Sequence, residues 1–254
     1  MDRSFLSDAR VIDASREFVC VRLLSYEDEA EMKFLKSFNV TRSGEVENTT
    51  VVILSSDGER RLSHAARGTR EVFGSAANMA AAMKRIARDH PGRESPADEA
   101  GVPEVASVRL AVDVAACDHQ PLVVLFGPDA EARRALEFRL APLAWDEEFR
   151  GRFIWAATTD AKDVAMIEGA KPGVIVVQPD RFGQKATVLK RVAADAAHAE
   201  LAQFLRDGLA RFKTIDNTFG NHVRAGHQQG VFWETALPVT DPMERQARER
   251  GRKR

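Results

Sequence analysis

The chain contains two cysteines, Cys20 and Cys117, and their positions exclude the sites that are built from closely spaced thiols. They lie far apart, and neither belongs to a Cys-x-x-Cys pair, the spacing used by zinc knuckles and dithiol redox centres. Cys20 stands between two valines in the apolar run 18–24, and Cys117 ends an amphipathic run. We therefore expect both thiols to be packed inside the protein.

Two histidines near the C-terminus, His222 and His227, are the weak candidates for a metal site. They are five positions apart with Gly226 between them. A zinc site needs a third or fourth ligand, for which Glu234 or Asp216 would have to come close. Solvated loop histidines are the simpler interpretation, so we expect no metal and no cofactor, and metal handling remains an alternative function.

The sequence carries no local signature of a nucleotide site or of a catalytic nucleophile. The patterns G-x-G-x-x-G, G-x-x-x-x-G-K-[S/T], H-E-x-x-H and G-x-S-x-G are all missing. Serine, histidine and aspartate occur without a spacing that identifies a nucleophile. No catalytic residue is assigned, although catalytic groups can also converge from distant parts of a chain.

Helical and strand patterns alternate in the second half of the chain. Residues 105–116 have apolar positions at helical spacing, and residues 121–126 and 174–177 are continuous apolar strands. Asp129 is placed to cap the next helix. Further strands are predicted at 152–157 and 185–191, and further helices at 160–170 and 198–212. This order predicts an α/β fold with a central mixed sheet flanked by helices.

The first half repeats the later part of that order. A capped helix is predicted at 7–18, a strand at 18–24, and a helix at 27–38 that buries Phe34, Leu35 and Phe38. A hairpin around Gly58 and a helix at 76–90 follow, and this last helix has three inward-facing residues, Met79, Met83 and Ile86. The two halves therefore resemble an internal duplication.

The composition of the chain predicts where its domains end and which classes of partner it does not bind. Residues 91–103 are rich in proline, glycine and charge, which is typical of a linker, so we expect domains at 1–90 and 104–213. Residues 214–254 would form an apolar strap containing Phe232, Trp233 and Leu237 and then a basic tail.

The formal charge of -1 argues against binding to nucleic acid. No apolar run reaches the ~20 residues of a membrane span, and no signal peptide is visible, so we expect a cytoplasmic protein that does not enter a membrane.

The second half resembles a thioredoxin between residues 105 and 212. The resemblance rests on the order of its helices and strands, on the proline at the start of "KPGVIVV", and on the "QPDRFG" turn that follows. In that family, the corresponding proline follows a cis peptide bond and faces the redox dithiol. The resemblance implies a binding groove formed by Lys171, Pro172, Gly173, Pro128 and Asp129.

The sulfur chemistry of that family has no counterpart in the sequence. The family needs two cysteines at the N-terminus of the helix after the first strand, where the helix lowers the thiol pKa. Here that place reads "FGPDAEARR" over residues 126–134, without cysteine. The sequence therefore predicts a redox-silent protein that binds a polypeptide or a partner surface.

The first half resembles the part of a thioredoxin-like domain that follows the redox helix, so this domain would be incomplete. At the position of the family's proline it has Asn48, Thr49 and Thr50. Either the half is a minimal version, or the chain begins at an internal methionine. In the second case a dithiol and a signal peptide would lie upstream, and the protein would be a thiol-disulfide oxidoreductase of the periplasm or the exterior. The oligomeric state stays open.

Overall fold

The computed structural model describes residues 5–38, 50–92, 101–214, 219–231 and 235–240, together with Gln246. The chain divides into two units: unit 1 comprises residues 1–94 and 233–254, and unit 2 comprises residues 95–232. Within these described residues, no helix is both long enough and apolar enough to cross a membrane.

Two of the helices described in unit 1 begin where a short polar side chain accepts a hydrogen bond from a free N–H group. Asp8 accepts a hydrogen bond from the backbone N–H of Arg10, and Ser75 accepts one from that of Asn78. The helices are α1 (Ala9–Ser15), α2 (Glu29–Phe38), α3 (Thr69–Phe73) and α4 (Ala76–Asp89). The predicted helices of this half are thus confirmed, with shorter ends.

The apolar core of unit 1 is small. Helices α1 and α4 pack together through Val11, Ala14, Met79 and Met83, with Phe5 beside them. The predicted inward positions of α4, Ile86 included, are confirmed as buried.

Helix α2 buries Met32 and Leu35, but the prediction that it also buries Phe34 is wrong. The Phe34 ring is 38% exposed. It packs edge-on against Phe38 at a centroid distance of 5.2 Å, and Phe38 itself is only partly buried.

The predicted strand at 18–24 is not formed. Residues 19–24 have no regular secondary structure, Val19 and Val21 are 75% and 72% exposed, and Cys20 is exposed. The expectation of a packed Cys20 is therefore wrong. Alternating apolar residues favour a strand, but a strand forms only where the tertiary structure brings a neighbour to it.

The predicted hairpin of unit 1 is present as a turn with two isolated antiparallel bridges. Val51 pairs with Ala66, and Leu54 pairs with Arg61. Gly58 lies in the turn with φ of 76°, a conformation that glycine adopts without steric cost.

Unit 2 contains a five-stranded mixed sheet with helices packed on it. Its elements, in chain order, are α5 (Val108–Asp118), β1 (Leu122–Phe126), α6 (Ala130–Trp145), β2 (Ile154–Thr158), β3 (Ile167–Glu168), β4 (Gly173–Pro179), β5 (Ala186–Val192), α7 (His198–Arg211) and α8 (Phe219–Gln228). The strand order is β2-β1-β4-β5-β3. Strands β1 and β2 are parallel, β4 is antiparallel to β1 and β5, and the short β3 is parallel to β5.

Both faces of the central strands are covered, as their continuous apolar sequences predict. Val123 and Leu125 of β1 contribute to the cluster that contains the buried leucines of α6 and α7. Leu122 and Val124 contribute to the cluster that contains the buried face of α5. The sheet is thus the middle layer of unit 2.

Two predictions for this half need correction. Residues 161–166 form consecutive turns rather than a helix, with short-range bonds such as Asp163 N–H to Asp160 O at 3.1 Å. Cys117 is exposed in the last turn of α5, because the buried face of that helix runs through Val108, Val112 and Ala115 and leaves position 117 outside it.

Candidate functional site

The C-terminal end of β1 and the N-terminal end of β4 meet at one edge of the sheet in unit 2. Phe126 lies opposite Gly173 in the antiparallel pairing of these strands. Residues 127–129, which follow β1, and residues 171–173, which lead into β4, therefore lie at the same edge. We call these two segments the proline edge, and all five predicted groove residues lie in them.

The turn from β1 into α6 is tight and is held by hydrogen bonds. Asp129 caps α6: its side chain accepts a hydrogen bond from the N–H of Ala132 at 2.8 Å, and its carbonyl oxygen accepts one from Arg133 at 3.0 Å. A Cβ on Gly127 would lie 2.6 Å from the backbone nitrogen of Arg133, so the turn requires glycine. The predicted cap at Asp129 is confirmed.

Pro172 lies just before the first residue of β4, where its missing N–H removes no bond from within the strand. Its side chain and that of Lys171 are exposed, whereas Gly173 is buried. No cis peptide bond occurs among the described residues, so the bond before Pro172 is trans, unlike the bond that the resemblance implies. Gly173 has φ of 128°, and a Cβ there would collide with the carbonyl oxygen of Val192.

Two basic side chains flank Pro172. Lys171 precedes it in the chain, and Arg191 of β5 donates a long hydrogen bond of 3.5 Å to the carbonyl oxygen of Pro172. The sequence analysis missed Arg191. Arg191 comes close to Pro172 because β5 pairs with β4, and no pattern in the neighbouring residues predicts that contact.

A second charged group lies where α6 begins. Arg133 forms an ion pair with Glu137 one turn further along the helix, and a longer contact of 3.7 Å with Glu104. Burial raises the pKa of the Glu104 carboxyl, the negative charge of Glu137 raises it further, and Arg133 opposes the shift. Arg133 is thus neutralised within its own surroundings.

The proline edge contains no thiol. Cys117 lies in the last turn of α5, just before β1 begins, and hence at the opposite end of β1 from Phe126. Strand β1 has five residues, which corresponds to roughly 13 Å between its first and last Cα atoms at about 3.3 Å per residue. The arrangement offers backbone groups and charges for binding, but no sulfur for exchange.

The two candidate histidines lie on helix α8, so the expectation of loop histidines is wrong, and they are not brought together as ligands. His222 packs its ring on Phe182 at a centroid distance of 5.1 Å, and His227 lies exposed in the last turn of α8. Residues five apart on a helix point about 140° apart. Burial lowers the pKa of His222, as do the nearby Arg181 and His119. Among the described residues, no three His, Cys, Asp or Glu side chains form a group that could hold a metal; Asp216 and Glu234 lie outside those residues.

A cavity in unit 1 was not anticipated from the sequence. Its volume is about 540 Å³, and its lining includes Phe34, Phe38, Leu54, Asp57 and Arg61. Phe34 is therefore part of the cavity lining and is not buried in the core.

The C-terminal strap is described only in part. Leu237 donates a backbone hydrogen bond of 2.8 Å to the carbonyl oxygen of Tyr26 and packs against the Met32 and Leu35 cluster of unit 1. Phe232 and Trp233 lie outside the described residues, as do Asn48, Thr49 and the basic tail apart from Gln246.

The most complete arrangement in unit 2 is therefore the proline edge, with its capped helix, its exposed proline and its two flanking cations. In comparisons with protein-family models, with curated proteins and with solved structures, no match to this chain was found.

Proposed function

We propose that residues 104–213 form a thioredoxin-like domain without a redox dithiol, and that this domain binds an extended polypeptide along the proline edge. The observation that carries the proposal is the pairing of Phe126 with Gly173. This pairing supports the proposal because it puts the segment that contains Pro172 and the turn into α6 at the same end of the sheet, as the resemblance to thioredoxins implies. The tandem arrangement depends on the sequence resemblance of residues 1–90 alone, because the described residues of unit 1 form helices and isolated bridges.

Main-chain hydrogen bonds are the chemistry that this edge can supply. Strands β1 and β4 are paired with neighbours on both sides, so a peptide would bind to the backbone groups of the two segments at the strand ends. Such main-chain hydrogen bonds do not need a cysteine. Pro128 and Pro172 have no N–H, so in these segments the two prolines can offer only their carbonyl oxygens to a bound peptide. A redox-silent binding domain is thus compatible with the residues present.

The experiment measures the binding of a neutral extended peptide to the full-length chain. The probe is a fluorescein-labelled peptide of eight residues that alternates Thr and Gln, followed by fluorescence anisotropy. We expect saturable binding that Pro128→Trp weakens by about tenfold or more, because a large side chain would occupy the proline edge.

The matched control is Pro142→Trp. Pro142 is also an exposed proline of this region, but it lies near the far end of α6, about 20 Å from Pro128 at 1.5 Å per residue. Equal binding by the wild-type chain and Pro128→Trp would contradict the proposal. Insulin-disulfide reduction by the wild-type chain should stay at background, and turnover abolished by alkylating Cys20 would refute the redox-silent interpretation.

A further inference from the structure

The cavity of unit 1 lies between helix α2 and the turn around Gly58. Its volume of about 540 Å³ falls within the range of about 300–1,000 Å³ that is typical of small-molecule sites. Helix α2 contributes residues three and four positions apart, which share one face of a helix. The full lining is Phe34, Ser37, Phe38, Leu54, Asp57, Gly58, Glu59 and Arg61. The cavity therefore has room for a small organic molecule.

The aromatic part of the lining is partly open. The Phe34 side chain is 38% exposed, and its ring packs edge-on against Phe38. The turn comes close to this ring because Gly58 has no side chain: a Cβ there would lie 3.3 Å from Cζ of Phe34. The face of an aromatic ring carries partial negative charge and attracts cations. A cation in the cavity would thus find an accessible ring.

Two carboxylates of the turn, Asp57 and Glu59, line the same cavity, and both residues are exposed. Hydrogen bonds from the Ser55 hydroxyl and from the N–H of Glu59 lower the pKa of Asp57, so its carboxyl is charged at neutral pH. Both bonds go to Oδ1. Neither carboxylate forms an ion pair with a cation in the part of the chain that the structure describes. Both remain available to a bound molecule.

One cation, Arg61, belongs to the lining, and it is already in contact with the backbone. Its guanidinium donates a hydrogen bond of 3.4 Å to the carbonyl oxygen of Phe38. The neighbouring Arg60 is exposed and is not part of the lining, although its charge contributes to the lowered pKa of Asp57. The lining thus carries two negative charges and one positive charge.

Two lysines of α2 also lie near this face. Lys33 and Lys36 are about 100° and 200° around the helix from Phe34, and neither belongs to the lining. Both are exposed, so water screens their charges. They do not reverse the negative charge of the cavity wall.

From these contacts we infer that the cavity of unit 1 binds a small organic ammonium ion with an apolar body. The ammonium group would lie between the Phe34 ring and the carboxylates of Asp57 and Glu59, and the apolar body would contact Phe38 and Leu54. Cation–π attraction and opposite charge favour the same ligand here. The inference is independent of the proposed function, because the peptide site lies in unit 2.

The test compares three probes of similar size on the ¹⁵N-labelled full-length chain: 2-phenylethylamine, 2-phenylethanol and phenylacetate. The amine is protonated at neutral pH, as the lysine amine is. Titrations followed by NMR should show a saturable shift of the Gly58 amide signal. At low salt, we expect the amine to bind about threefold to tenfold more tightly than the alcohol, and phenylacetate to bind most weakly.

Substitutions then locate the binding. Phe34→Leu keeps an apolar side chain but removes the ring, so it should weaken the amine by about threefold and the alcohol less. Asp57→Asn/Glu59→Gln keeps the side-chain oxygens that the turn uses, and it should abolish the preference for the amine. The matched control, Glu17→Gln/Glu71→Gln, makes the same change in charge at two exposed acids of unit 1 outside the lining. It should keep the preference.

Several results would overturn the inference. Equal binding of the three probes would show that the cavity is selective only for apolar bodies, and tighter binding of phenylacetate would show that Arg61 dominates it. An equal loss of preference in both double variants would make net charge the explanation. Absence of binding, or shifts confined to signals outside residues 34–38 and 54–61, would refute the site. The peptide experiment on Pro128→Trp is unaffected by any of these outcomes, so the two proposals fail separately.

Discussion

At the residue scale, His119 carries a backbone conformation that its side chain disfavours. It ends α5 with φ of 54° and ψ of 46°, and among the described residues it is the one non-glycine with positive φ. Its N–H donates to the carbonyl oxygen of Ala115, which is how a left-handed residue closes a helix. Glycine would supply the same bond without the steric cost of a Cβ.

We therefore expect His119→Gly to raise the free energy of unfolding by about 0.5–1 kcal/mol. Urea unfolding of the full chain, followed by circular dichroism, measures the change. The matched control is His90→Gly at the end of α4, where φ is -135° and glycine relieves no strain. A gain of equal size in both variants would contradict the conformational explanation.

At the element scale, the turn between β1 and α6 sets the geometry of the proline edge. A side chain at Gly127 would meet the backbone of Arg133 rather than a movable side-chain end. The first turn of α6 would have to shift away from β1, and the position of Asp129 would shift with it. Close packing makes such overcrowding costly.

Gly127→Ala should lower the free energy of unfolding by about 2–3 kcal/mol and weaken the binding of the eight-residue Thr/Gln peptide. Gly220→Ala is the control in the same unit: no atom lies within 4 Å of its added Cβ, and its place in α8 favours alanine. It should be neutral or slightly stabilising. A Gly127→Ala protein as stable as the wild type would show that the turn can open without cost.

At the scale of the whole molecule, the two units differ in how much core they contain. Both faces of the sheet in unit 2 are covered by clusters that consist of its own residues. Among the described residues, the clusters of unit 1 are smaller, and one of them has Met32 and Leu35 as its only buried members. The free energy of unfolding rises with the apolar surface that folding removes from water. We therefore expect unit 2 to be more stable than unit 1.

We expect a fragment spanning residues 95–232 to fold alone, to unfold cooperatively and to bind the same peptide as the full chain. In the full chain, hydrogen exchange should be slower for the amides of β1 and β4 than for those of α1 and α4. Circular dichroism and anisotropy of the fragment provide the test. A fragment without a cooperative transition would show that unit 2 depends on the rest of the chain.

Some features of this protein are determined by residues within a few positions of each other, and the sequence alone predicts them. The start of α6 at Asp129 and that of α4 at Ser75 depend on a cap and the turn behind it. The lack of a thiol at the proline edge can be read directly from "FGPDAEARR". From α5 to α7, the order of the helices and strands follows from apolar periodicity, apart from the turns at 161–166 and the short β3. Helix α8 was not predicted.

Other features depend on contacts between distant residues, and only the tertiary structure decided them. The apolar runs 18–24 and 174–177 look alike as strands, yet only the second is paired with neighbours in the sheet. The exposure of Cys20 and Cys117 depends on which faces other elements cover. Arg191 reaches Pro172 through the register of β4 and β5. Register is set by the simultaneous packing of both faces of a sheet, so no short stretch of sequence contains it.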